Sequence, residues 1–334
     1  MHMKILLYFE NESMIHVSGI GRAFDHQKKA LTFANIEYTT DLNCTDYDIL
    51  HINTVLPLSD FVIRQARRLN KKVIYHAHST EEDFRDSFVF SNVFSPIFKQ
   101  MLINLYSKSD AIITPTPYSK RLIENYGITV PIYPISNGID LSNYAESDAK
   151  KQQFYESFPY LRDKKWVMGV GLPFKRKGIL DFIEVAKALP QYEFVWFGEL
   201  NSLLLPTDIN EALSNYPSNC HFPGYVQGDV IQGAYQATNC FFFPTYEETE
   251  GIVVLEALAS HQNVLVRNIG AFEPWLVDKE SCYKGKSIQE FITLIPQIIE
   301  GELPSLVDQG YEVAKARSID RIGFELKKVY ESVL

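Results

Sequence analysis

Short apolar runs alternate along the chain with longer stretches in which apolar residues recur every three or four positions. Lys4-Ile-Leu-Leu-Tyr-Phe9 reads as a buried strand, and the spacing beyond Ser18-Gly-Ile-Gly21 predicts a loop and then a helix from about Ala23 to Ala34. Asp48-Ile-Leu-His51-Ile52 is a second strand, 59–70 a helix, and Lys72-Val-Ile-Tyr-His-Ala-His78 a strand ending in polar residues. Asp110-Ala-Ile-Ile-Thr-Pro115 is a strand stopped by proline, and Ser119 is expected to cap a helix ending near Gly127. The pattern pauses between Ile135 and about Lys164, then restarts. Strands are predicted at 166–171, 192–198, 220–224, 240–243 and 264–267, helices at 178–189 and 230–237, and helical segments over 309–334.

Strands alternating with helices imply parallel sheets with crossover connections. The chain therefore reads as α/β, with two Rossmann-like halves. Residues 1–150 form the first, 151–316 the second, and 317–334 a C-terminal helix that crosses back to the first. Open α/β sheets take ligands outside the carboxyl ends of their strands, so two such halves would face a central cleft.

The most informative local pattern is the run Pro244-Thr-Tyr-Glu-Glu-Thr-Glu-Gly-Ile-Val-Val-Leu-Glu256. It reads as a strand end, a tight turn at Gly251 and a new helix, whose N-terminal N–H groups suit a phosphate. Glu248 precedes the turn and Glu256 lies in the first turns of the helix, so both can reach one ligand. Taken as spacing alone, the pair equally fits two solvated surface glutamates, and Lys175-Arg-Lys177 equally fits a solvated turn.

Composition narrows the class. The 334 residues are 46% hydrophobic and 22% charged, without repeats or low-complexity tracts. No apolar run reaches the roughly 20 residues of a spanning helix. Cys44, Cys220, Cys240 and Cys282 are far apart in sequence and read as reduced thiols. The net charge of −9 argues against nucleic-acid binding, and most of the acidic excess lies beyond residue 140.

Four elements in order carry a resemblance: Asn137-Gly-Ile-Asp140, Lys175-Arg-Lys-Gly178, Pro223-Gly-Tyr-Val226, and the Glu248/Glu256 pair. Together they resemble the retaining glycosyltransferases of family 4, which have the GT-B fold. The resemblance implies transfer of a sugar from a nucleotide donor with anomeric configuration kept, no bound metal, and no cofactor beyond the UDP-sugar substrate. It makes Arg176 and Lys177 clamps for the pyrophosphate, aided by the N–H groups of Gly251 and Ile252. Glu256 would accept the ribose hydroxyls, and Glu248 the donor sugar's hydroxyls. His78 would meet the sugar or the reacting oxygen as a neutral imidazole. His76 shares its face by strand alternation and remains an alternative. Gly19 and Gly21 would face the acceptor or the diphosphate. Gly171-Leu-Pro-Phe174 lacks the arginine common in the family, and Glu248-Thr-Glu-Gly251 replaces the usual Glu-Gly-Phe-Gly. The extra carboxylate, Glu250, receives no catalytic role. Asp46-Tyr-Asp48 imitates the Asp-x-Asp of metal-dependent transferases and is read as a decoy.

The acceptor is read from the first half. Phe84–Tyr106 is dense in apolar side chains, helically spaced from Phe94, and Arg64–Lys72 carries five cations. Apolar residues beside cations suit an anionic membrane surface, although a core helix beside a solvated basic face has the same pattern. The whole-chain pattern resembles the bacterial diglycosyl-diacylglycerol synthases. That implies a UDP-glucose or UDP-galactose donor, a monoglucosyl-diacylglycerol acceptor, and a cytoplasmic enzyme peripheral to the inner face of the membrane. A polar saccharide or protein-linked acceptor, and a catalytically silent partner subunit, are the alternatives.

Overall fold

The structure, a computed structural model, describes residues 3–11 and 18–334. It divides into two compact units. The first comprises Met1–Phe84, Val93–Asp140 and Arg317–Leu334; the second comprises Arg85–Asn92 and Leu141–Ala316.

Each unit is built on a six-stranded, wholly parallel sheet. The strands of the first are β1 (Lys4–Tyr8), β2 (Glu37–Thr39), β3 (Ile49–Ile52), β4 (Lys72–His76), β5 (Ala111–Thr114) and β6 (Ile132–Pro134), in the order 2-1-3-4-5-6. Those of the second are β7 (Trp166–Val170), β8 (Glu193–Phe197), β9 (Cys220–Gly224), β10 (Cys240–Phe243), β11 (Val264–Arg267) and β12 (Tyr283–Gly285), in the order 12-11-10-7-8-9. Renumbered within its own unit, the second sheet has the dinucleotide-fold order 3-2-1-4-5-6. The order reverses between β7 and β10, and this is where such sheets take a ligand.

The central strands are apolar because both faces are covered. In the first unit one face packs Leu6, Leu50, Val73 and Ile112 with Leu102 and Leu105. The other packs Ile5, Ile49, Ile74 and Ile113 with the helices Gly19–Phe33 and Ile319–Val333. The second core is aromatic: Phe182 lies 5.1 Å from Trp196 and 5.8 Å from Phe242, and Phe242 lies 4.9 Å from Phe291. The helix Asp148–Ser157 belongs to this unit, capped by Ser147 and packed on the helix Gly228–Ala237.

Two local expectations are corrected. Ser18-Gly-Ile-Gly21 is not a loop: the Ser18 hydroxyl accepts from the Gly21 N–H at 3.3 Å, and the helix starts at Gly19. A good N-cap here outweighs the poor helix propensity of two glycines. Ser119 is likewise the N3 residue of a capping box whose N-cap is Thr116. The edge strands β2, β6 and β12 were not expected, and each is only three residues long.

Among the described residues, no helix is long and apolar enough to cross a membrane.

Candidate active site

In the second unit the sequence-predicted donor residues follow β7 and β10, the two strands at the reversal point. After β7 the chain makes a single tight turn at Lys175–Lys177 and enters the helix Ile179–Ala188 through Gly178. Gly178 has φ +76°, and a Cβ there would sit 2.3 Å from the Pro244 carbonyl oxygen. Only glycine allows both the left-handed backbone and the contact with the loop after β10. That loop ends at Gly251, with φ +88°, which starts the helix Ile252–Ala259.

The two turns are then joined through their charges. The Lys177 ammonium is paired with Glu248 Oε1, and the Arg176 guanidinium lies 3.9 Å from the same oxygen. The Thr245 hydroxyl is 2.9 Å from Glu248 Oε1 and 3.1 Å from the Arg176 carbonyl. Arg176 donates from Nε to Ser87 Oγ at 2.8 Å and from Nη1 to the Glu247 carbonyl at 3.1 Å. Arg176 and Glu248 are both buried. Buried charges persist when paired and hydrogen-bonded, as these are. Glu256 is buried in the adjoining helix, where the Tyr235 hydroxyl donates to Oε2 at 2.6 Å. Ile252 opens that helix and is also buried, as is Glu250 in the loop before it.

Sequence reasoning missed two groups here. Ser87 was taken with the aromatic stretch of the first half, yet Arg85–Asn92 belongs to the second unit, and the Asp86 carbonyl accepts from the Arg176 N–H at 3.0 Å. The second is a buried ion pair between Arg267, at the end of β11, and Asp181 in the helix Ile179–Ala188. The Tyr246 hydroxyl donates to Asp181 Oδ2 at 2.7 Å, and Arg267 Nε donates to the Pro244 carbonyl at 3.1 Å. This network holds the loop carrying Glu248 from beneath. No local motif marks it, because its members come from three distant segments.

The first unit holds the predicted histidines. His78 lies just past β4, with Nε2–H donating to Asn53 Oδ1 at 3.0 Å and a further hydrogen bond to Asn137. His76 and His78 do share a face: their rings stack at 4.0 Å and 14°. A third ring, His51 on β3, stacks on His76 at 5.3 Å and 27°. Burial drives the pKa of His78 down to about 3 against the opposing pull of Asn137. Burial, and then repulsion from His78, takes His51 to about 3. His76 is held well below the ordinary value by burial, then by its two neighbours. All three rings are therefore neutral at pH 7.

The Asn137–Asp140 turn is clamped by the helix Gly19–Phe33. His26 Nδ1–H donates to the Gly138 carbonyl at 2.8 Å, and Lys29 pairs with Asp140 at 2.5 Å. Gly19 and Gly21 form the first turn of that helix, with Gly21 buried. Asp46 and Asp48 are exposed, and Asp48 Oδ2 accepts the Lys4 backbone N–H at 2.9 Å. Among the described residues, no group of three or more His, Cys, Asp or Glu side chains is arranged to hold a metal.

The paired parallel sheets, with donor-type turns at the reversal point of the second, define a glycosyltransferase of the GT-B fold. Residues 14–143 match Glycosyltransferase Family 4 and residues 153–316 match Glycosyl transferases group 1, and the chain belongs to this family. It is 45% identical over 335 aligned residues to the processive diacylglycerol alpha-glucosyltransferase of Acholeplasma laidlawii, covering 99% of each chain. It is 24% identical to the alpha-galactosylglucosyldiacylglycerol synthase of Streptococcus pneumoniae, covering 82% of this chain and 75% of that one. The crystal structure of Anabaena HepE in complex with UDP and glucose superposes with a TM-score of 0.81 at 16% identity, over 99% of this chain and 100% of that one. At that identity the likeness speaks for the fold.

Proposed function

We propose that this chain transfers an α-hexosyl group from a UDP-hexose to a diacylglycerol glycolipid, with monoglucosyl-diacylglycerol as acceptor and a diglycosyl-diacylglycerol as product. The observation that carries this reading is the 45% identity, end to end, with a diacylglycerol alpha-glucosyltransferase. That relative favours glucose as the donor sugar, whereas the pneumococcal relative's name includes a galactosyl group. Both names specify an alpha product, and UDP-hexoses are themselves α-linked, which supports retention of configuration in the proposed reaction.

In the proposed reaction the acceptor hydroxyl oxygen bonds to the anomeric carbon on the face that UDP leaves. The bond from that carbon to the phosphate oxygen breaks, UDP takes the electron pair, and its departing phosphate takes the acceptor's proton. The chain's task is then to absorb charge on the diphosphate. Arg176, Lys177 and the N–H groups of Gly251 and Ile252 are assigned to it. An ammonium has three donors, so Lys177 can serve Glu248 and a diphosphate oxygen at once. Glu248 is assigned to the donor sugar's hydroxyls, Glu256 to the ribose, His78 to a sugar hydroxyl or the reacting oxygen, and Gly19 and Gly21 to the acceptor or diphosphate. No metal or other cofactor is required in this scheme, because cationic side chains and a helix terminus occupy the role.

The lipid acceptor implies work at the inner face of a membrane, through Arg64–Lys72 and the Phe84–Tyr106 stretch. Support comes from Val93, Phe94 and Ile97, which are exposed on one helix of the first unit, and from exposed Phe61 beside the basic residues. Arg64 and Arg67 are paired with Asp60 and Asp110, so the cationic attraction falls more on Arg68, Lys71 and Lys72.

The test is mass analysis of the lipid formed from UDP-glucose and from UDP-galactose with monoglucosyl-diacylglycerol in mixed vesicles. A diglycosyl lipid with an α-linked second hexose is expected. Turnover only on a polar saccharide would overturn the acceptor, and an inverted linkage would overturn the mechanism.

A further inference from the structure

The column of imidazoles in the first unit is more elaborate than a single sugar-contacting histidine needs. His76 lies at its centre, 3% exposed, and neither of its ring nitrogens has a hydrogen-bond partner. A buried imidazole in that state is a cost that an apolar side chain would not carry. Stability therefore does not explain the choice, and its contacts do: one face lies on His78 and the other on His51.

The His51 end of the column, the most deeply buried, is also held by hydrogen bonds. The Tyr330 hydroxyl lies 2.8 Å from His51 Nδ1, and the Gln27 amide nitrogen lies 2.9 Å from Nδ1 and 3.2 Å from Nε2. Tyr330 is fully buried in the helix Ile319–Val333, which packs along the helix Gly19–Phe33 and bridges from Ser318 to Ile139. The same helix backs Gly138, where a Cβ would meet Ile322 at 3.1 Å, and so supports the turn that presents Asn137. At the other end, Asn53 and Asn137 hold the edge of His78.

The second torsion of a histidine is broad, so a lone ring at a strand end would sample many orientations and both neutral tautomers. Face contact with His76 removes the rotation, and the Asn53 carbonyl fixes the proton on Nε2. We propose that His76, His51, Asn53 and Tyr330 are positioning residues for the transfer reaction, a stacked column through which the C-terminal helix sets the orientation and tautomer of His78. This rests on the reading above in which His78 meets the sugar or the reacting oxygen. It assigns a role in the chemistry to Tyr330, the last aromatic residue of a helix at the far end of the sequence.

The experiment compares His78→Ala, His76→Ala, Asn53→Ala and Tyr330→Phe in the full chain on glycolipid vesicles, with kcat and donor KM measured well below each variant's Tm. The His78 ring is followed by long-range 1H–15N spectra, which distinguish its tautomers. Misorientation of a reacting group costs rate more than binding, so His76→Ala and Asn53→Ala are expected to lower kcat by about tenfold with donor KM within about twofold. Tyr330→Phe, which removes one oxygen and keeps the ring, is expected to lower kcat by about threefold and to mix the His78 tautomers. Should His76→Ala fail to fold, Tyr330→Phe and Asn53→Ala carry the test. A large loss in His78→Ala with wild-type kcat and an unchanged ring spectrum in the other variants overturns the positioning column while leaving His78 in the site. Wild-type kcat in His78→Ala overturns the reading on which the column rests. A rate loss that tracks only the unfolded fraction also overturns the column.

Discussion

The two units bury polar groups by opposite means. In the first, His51, His76 and His78 are stacked and neutral, with His51 and His78 tied off by amides and a tyrosine hydroxyl. In the second, Arg176, Lys177 and Glu248 form one charged cluster, with Arg267 and Asp181 as a second pair beneath. Neutral rings lose little on leaving water but depend on geometry for every hydrogen bond. Charges lose much more, and persist where an opposite charge or strong hydrogen bonds compensate them. The difference matches the proposed division of labour. A diphosphate leaving group needs fixed positive charge, whereas a positive charge beside a developing glycosyl cation would oppose it, and a neutral imidazole does not. The comparison also teaches where each unit is fragile: the first to protons, the second to the loss of any one ion.

The largest effect is expected where a buried ion is stripped of its partner. Asp181→Asn leaves the Arg267 guanidinium buried without its counter-ion, and removal of one partner of a buried pair costs about 3–5 kcal/mol. Urea unfolding is expected to show that loss, with Glu248's loop weakened alongside. A midpoint within error of wild type would mean the pair is not the prop described here.

Next comes the diphosphate grip itself. Lys177→Ala is expected to lower kcat/KM for the UDP-hexose by about a hundredfold, the scale of removing one charged donor from a developing anion. Lys177→Arg is expected to recover part of it, because the charge returns but the geometry differs. Wild-type turnover in Lys177→Ala would remove the charged half of the comparison from the chemistry.

The neutral half is probed by acid. All three imidazoles have folded-state pKa values below the unfolded value, so below about pH 6.5 the unfolded chain binds more protons than the folded one, and stability falls as pH falls. For His51 and His78 the window extends from about 6.5 down to about 3. Within it each ring contributes a loss of about 1.4 kcal/mol per pH unit. Thermal unfolding at pH 7 and pH 5.5 reads this directly, and His51→Asn is expected to flatten the dependence. An unchanged slope in that variant would show that the column does not carry the acid sensitivity.

Much of this was legible before any coordinates. The strand at Cys220–Gly224 and the placing of Lys175–Lys177 after β7 and Glu248 after β10 follow from apolar runs and glycine punctuation alone. So does the shared face of His76 and His78, since alternate residues of an extended chain point the same way. The edge strands β2, β6 and β12 were not legible, because three residues with partly exposed side chains give no period to read. Nor were the partners: Ser87 reaches Arg176 across 89 positions, and Tyr330 reaches His51 across 279. Such contacts depend on how elements pack, and no local pattern encodes them. His51 is the instructive miss, since a buried histidine mid-strand is itself a departure from the apolar pattern and could have been singled out.

The smallest predicted effect tests the join between the two styles of burial. Glu256 is a buried carboxylate that accepts from a neutral hydroxyl, that of Tyr235, at 2.6 Å. It thus borrows the first unit's device inside the second unit. Tyr235→Phe removes the oxygen and keeps the ring that packs 5.7 Å from Phe241. Loss of one hydrogen bond to a charged acceptor is expected to raise the donor KM about fivefold, or about 1 kcal/mol, with kcat nearly unchanged. The sign of the KM effect follows from the assigned role: a less well-held Glu256 presents its carboxylate to the ribose hydroxyls in more than one rotamer. If kcat falls instead while KM holds, Glu256 is felt at the reacting centre and not at the ribose. The two glutamates of the loop and helix would then have to exchange roles.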